Sequence, residues 1–141
     1  MLAMRAWLLL LCLGAGWIAA DTKPAAVRGK LVESRGKPAL QTRDGKTVHL
    51  EADGPITGVL GDKRLKDADF EARGRFLAPD RFRIDPVHTR PVSVYKDGKP
   101  LLVTYWCEVC AIRTWTPGTC WCCQEETALD LQDPETLPNT P

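Results

Sequence analysis

Apolar and polar residues alternate along much of this chain, with the two-residue period of strands that bury one face. Residues 27–33, V-R-G-K-L-V-E, open the pattern, and residues 38–42 make a weaker second run. Arg43-Asp44-Gly45-Lys46 carries the Asp-Gly pair of a tight hairpin turn and leads into a strand over 47–51, with Val48 and Leu50 on one face. Residues 54–68, GPITGVLGDKRLKDA, break the rhythm. Three glycines and a proline exclude a long helix and leave room for one or two helical turns around Gly61 to Lys66. The alternation returns over 69–78, with Phe70, Ala72, Gly74 and Phe76 on one face and Glu71, Arg73 and Arg75 on the other. It repeats over 81–85, with Phe82 and Ile84 inward. A second hairpin follows: Val92 and Val94 run into Lys96-Asp97-Gly98-Lys99, and Leu101, Val103 and Tyr105 return. From Asp130 onward the chain is polar and contains three prolines, the composition of a loosely ordered tail.

Five short strands with a helical connection before the fourth predict a mainly β fold, a small closed barrel. Gly29 and Gly74 are placed inside strands, where they relieve bends at barrel corners. Three strands, a short helix and two strands is the order of an OB-fold. In VRGKLV (27–32), DGKTVHLE (44–51), DKRL (62–65) and FEARGRF (70–76) the chain resembles the OB-like domains of small exported bacterial proteins. That resemblance implies an OB-like barrel over about residues 27–90. It leaves the ligand open, because OB-folds bind oligonucleotides, oligosaccharides, ions or proteins. The expected organisation is a leader over 1–20, a linker over 21–26, the barrel, a hairpin with a cysteine module over 91–126, and a tail over 127–141.

The leader is expected from residues 1–20. Arg5 provides a positive start, Trp7 to Leu13 a short apolar run, and Ile18-Ala19-Ala20 a cleavage site before Asp21. The apolar stretch is shorter than the roughly 20 residues that span a bilayer. The chain is therefore expected to be exported, to the periplasm or outside the cell, and free of the membrane once cleaved. It has 19 Lys and Arg against 18 Asp and Glu, and loss of Arg5 balances them. A neutral protein offers no general attraction to nucleic acid or anionic lipid.

Residues 105–125, YWCEVCAIRTWTPGTCWCCQE, hold five of the six cysteines. Cys107/Cys110 and Cys120/Cys123 are two C-x-x-C pairs nine residues apart, with a turn at Thr116-Pro117-Gly118 before the second. Two such pairs supply the four thiolates of a tetrahedral metal site, each pair bending around the ion as a knuckle. The arrangement resembles zinc ribbons and rubredoxins, which implies zinc, or iron in the same ligands; copper(I) also favours such sulfur. In those families glycine often follows the second cysteine of a knuckle, where this chain has Ala111 and Gln124. Cys122 lies outside both pairs and is a reserve ligand. Arg113 is a candidate to offset the charge of four thiolates, and Trp106, Trp115 and Trp121 to screen the site. The alternatives are a disulfide clasp without metal and a redox protein, either an iron electron carrier or a thiol–disulfide exchanger. A catalytic C-x-x-C needs a helix N-terminus to lower a thiol's pKa, and no such helix is expected here.

His49 and His88 are minor candidates as ligands. Arg73, Arg75, Arg81 and Arg83 share faces with Glu71 and Asp85, which reads as a cross-strand charge ladder more readily than as an anion-binding stripe. No phosphate loop, G-x-S-x-G or H-E-x-x-H motif is present, so a binding role for an unidentified protein or small ligand is expected rather than an enzyme.

Overall fold

A computed structural model describes residues 24–137 of the chain. The expected leader at 1–20 lies outside the described residues. Nine strands form one sheet: β1 (Ala25–Ser34), β2 (Lys37–Gln41), β3 (Thr47–Glu51), β4 (Asp69–Ala78), β5 (Arg81–Ile84), β6 (Val92–Lys96), β7 (Lys99–Cys107), β8 (Ile112–Thr114) and β9 (Ala128–Gln132). The first five close on themselves in the order β1-β2-β3-β5-β4-β1, with β3 and β5 parallel and the other pairs antiparallel. The fold is mainly β and its first five strands make the small closed barrel expected from the sequence.

Period-two patterning fills its interior with Val27, Leu31, Leu40, Val48, Leu50, Phe70, Ala72, Phe82 and Ile84. Gly74 stands where strands cross closely: a Cβ there would overlap the carbonyl oxygen of Arg83. Phe76 keeps its inward parity and meets Phe82 edge-on, ring centroids 4.9 Å apart, but it is 49% exposed. It lies at the barrel mouth, where the β4–β5 register slips between Phe76 and Ala78.

The helical turn expected around Gly61 to Lys66 is present, and a longer helix that was not expected precedes it. Helix α1 spans Gly54–Leu60, and a single 3-10 turn spans Lys63–Leu65. Asp53 caps α1, its side chain accepting from the Ile56 N–H, and proline stands in the first turn where no N–H is missed. Ile56, Val59 and Leu60 share one face and plug the barrel, and Leu65 joins them. Over two turns, that burial and the cap outweigh the poor propensity of Gly58.

β5 and β6 lie end to end along one edge of β4. Ile84 pairs with Gly74 and Val92 with Ala72, while residues 85–91 loop out between them. The hairpin β6–β7 thus continues the barrel sheet. Asp97 (φ 50°) and Gly98 (φ 76°) form its turn, both in the left-handed conformation that matches strand twist. The loose tail expected from residue 127 is corrected over part of its length: Ala128–Gln132 is β9, paired with Leu102–Trp106 of β7. Leu129 and Leu131 pack against the core from that strand. The long partner strand supplies the order that so short and polar a segment lacks by itself.

Candidate metal centre

β7 is laddered on both edges, with β9 along one and β6 then β8 along the other. Cys107 is its last residue and is buried. The chain turns at once: the Cys110 N–H points at the Cys107 sulfur, 3.4 Å away. Ala111 then takes a left-handed φ of 51°, and Ile112 returns to pair with Cys107.

The second knuckle repeats this plan. The Cys120 N–H donates to the Glu125 carbonyl (2.7 Å), and the Gln124 N–H to the Cys120 carbonyl (2.9 Å). Gln124 has φ 64°. Thr119 bridges Glu126, and Thr127 donates to the Gly118 carbonyl through both its N–H (3.0 Å) and its hydroxyl (2.7 Å). Ala111 and Gln124 thus take, without being glycine, the conformation that glycine makes easy.

The Sγ atoms of Cys107, Cys110, Cys120 and Cys123 all lie within 4.8 Å of one another, and those of Cys107 and Cys123 are 3.5 Å apart. A tetrahedron built on zinc–sulfur bonds of about 2.3 Å has edges of about 3.8 Å. The cluster matches that size and can hold a metal ion. All five cysteines among the described residues are unbridged. Hydrogen bonding to Cys122 and burial push the Cys110 thiol up, while backbone N–H groups of Cys123 and Cys122 bring Cys120 down to about 7. Crowded thiolates repel one another, and a divalent ion at their centre removes that penalty.

Arg113 turns away from the sulfurs. Its guanidinium binds Thr104 Oγ1 and the Asp130 carboxylate and lies over the Trp106 ring, so its charge is spent on β7 and β9. The three tryptophans do not form one wall. Trp106 stacks under Arg113, Trp115 under Arg90, and Trp121 is 74% exposed. Among the described residues the clustered ligands are all cysteines; His49 lies on β3 and His88 in the exposed loop between β5 and β6. Cys122 is exposed beside Cys123 and is not one of the four.

Arg64 is a functional link that pattern reading missed. From the 3-10 turn it grips the largely buried Asp62 carboxylate at 2.9 Å and donates to the Thr127 carbonyl at 3.0 Å. One guanidinium therefore ties the barrel plug to the second knuckle. It also lies over the buried ring of Tyr105, whose phenol is held protonated by burial and by Asp62. A cleft of about 490 Å³ between the β1–β2 hairpin and α1, walled by Leu31, Pro38, Leu60 and Lys66, contains no cysteine.

Compared with protein-family models, with curated proteins and with solved structures, the chain matches none. The site is therefore read from its own geometry.

Proposed function

We propose that this is an exported, OB-fold protein whose zinc ion, held by Cys107, Cys110, Cys120 and Cys123, fixes a small binding module to the barrel. The observation that carries this reading is the convergence of four sulfurs from two separate knuckles. A closed four-sulfur shell with two members buried leaves no open coordination position for a substrate, which is the character of a structural site. Zinc needs no redox partner and accepts this set. The ion's free energy is large for so small a module: structural zinc contributes about 10–16 kcal/mol in finger peptides, against a net stability of about 5–15 kcal/mol for a whole domain.

Neither pair begins a helix among the described residues, which takes away the usual means of activating a C-x-x-C thiol. The test is elemental analysis of the full chain recovered from its native compartment, with thiol titration before and after chelation. One zinc per chain and thiols that appear only after chelation are expected. Thiols that appear only after reduction would establish a disulfide clasp, and a coloured iron protein would establish an electron carrier. N-terminal sequencing of the recovered protein tests export, with Asp21 as the expected first residue.

A further inference from the structure

The proposed module ends in two apolar tips with no packing role. Val109, within the first knuckle, is 70% exposed, and Trp121, within the second, is 74% exposed. Each neighbours a clustered cysteine, so the convergence of the sulfurs ties both tips to one small module. Tryptophan is usually well buried. Where it stands free on a rigid support, it is the residue type most often found to anchor an interface. Here the support is rigid: backbone hydrogen bonds from Cys120 to Glu125 and from Gln124 to Cys120 fix the loop under Trp121. Little ordering entropy would be lost on contact.

The charge around the tips chooses the occupant. Glu108 adjoins Val109, and the Thr119–Glu126 bridge sets Glu125 and Glu126 across from Cys120 beside Trp121; all three glutamates are exposed. Four thiolates around a divalent ion add a net negative charge. Arg113, the one cation in residues 105–126, is paired with Asp130, and Arg64 beneath Thr127 is held by Asp62. Apolar tips with acidic neighbours disfavour anionic lipid and nucleic acid. They complement a polypeptide carrying Lys or Arg beside an aliphatic anchor, and a cation can stack on the free indole face.

We propose that the knuckle tips, Val109 and Trp121 with the exposed glutamates beside each, dock a basic segment of a partner protein. The proposal deepens the metal-module reading and rests on it for the placing of the two tips. The test selects random short peptides displayed on phage against the zinc-loaded full chain, then measures a synthetic copy of the enriched peptide. Enrichment of Lys and Arg around an apolar residue is expected. Trp121→Ser should weaken the peptide roughly tenfold or more, Glu125→Gln with Glu126→Gln by a smaller factor, and added salt should weaken it further. An acidic or uncharged consensus, no enrichment, or a peptide indifferent to Trp121→Ser overturns the proposal. A dimer that Trp121→Ser dissociates also overturns it, since the occupant would be a second copy. Zinc content of each variant keeps the two readings apart: binding lost in Trp121→Ser with zinc retained supports the docking, an enriched peptide indifferent to Trp121→Ser in a zinc-loaded chain refutes the docking alone, and Trp121-dependent binding by a metal-free chain refutes the metal and leaves the docking.

Discussion

Ala111 and Gln124 occupy the same place in two different knuckles and share one backbone conformation, with φ of 51° and 64°. A side chain in this left-handed region costs about 1–2 kcal/mol relative to glycine. Ala111→Gly and Gln124→Gly are therefore each expected to raise stability by about 0.5–1 kcal/mol, after the greater freedom of glycine in the unfolded chain is subtracted. Denaturant midpoints of the metal-loaded proteins check this. A loss at both positions would show that the knuckles do not hold these angles.

The Arg64 guanidinium is expected to hold the cysteine module against the barrel. Arg64→Met keeps the aliphatic stem but strands the buried Asp62 carboxylate and the Thr127 carbonyl. A loss of about 2–3 kcal/mol is expected, with faster amide exchange concentrated in residues 118–127. Uniform loss without that local change would refute the coupling.

Two carboxylates set an acid limit. Burial pushes Asp62 up, but hydrogen bonds from the Arg64 side chain and backbone outweigh it; burial pushes Asp130 up, but Arg113 and Gln132 outweigh it. Both end below the usual carboxylate range. Their stabilisation is thus complete above the unfolded value of about 4 and disappears as pH falls through the lower folded values. Unfolding free energy measured in a metal-free background should drop below about pH 4, and Asp62→Asn with Asp130→Asn should flatten that slope.

Gly74→Ala places a methyl group onto the Arg83 carbonyl. A backbone atom cannot swing aside as a flexible side chain can, so a loss of about 2–4 kcal/mol is expected. An unchanged thermal midpoint would mean that β4 and β5 are not so close.

Arg75 and Arg83 face each other across the same strand pair, and neither has an ion-pair partner among the described residues. Like charges directly opposite are unfavourable. Arg83 also stands opposite Glu51 on β3, so the reversal belongs at Arg75: Arg75→Glu is expected to add roughly 0.2–1 kcal/mol by making an opposed pair with Arg83, seen as a higher denaturant midpoint at low salt that shrinks at high salt.

The barrel was legible because its signals are local. Val48 and Leu50 on one face of β3, Phe70 and Ala72 on one face of β4, and the Asp-Gly turns each depend on near neighbours. The paired C-x-x-C spacing marked the four clustered sulfurs for the same reason. Distant partners were not legible. Leu129 and Leu131 have too short a pattern to announce a strand without β7 beside them. The expected ladder of charges took another course: Glu71 binds Tyr95, Glu51 takes Arg81, and Arg73 spends its charge on backbone carbonyls. The turn at Lys63–Leu65 was legible, but helix α1 before it was missed because Gly58 and Gly61 read as breakers, while the Asp53 cap and the fit of Ile56 and Val59 into the barrel end prevail. Arg64 and Arg113 look like ordinary surface cations until the fold brings Thr127 and Asp130 to them.

β8 and β9 flank the far half of β7, and through them the strand has neighbours on both sides. Take them away and Leu102, Val103, Tyr105 and their backbone amides become a long, apolar margin open to any other chain. The few residues of β8 and the proline soon after β9 make poor templates for such pairing. A chain whose knuckles spring open would thus be prone to clump before its barrel melts, and keeping the sulfurs together is also a defence of solubility.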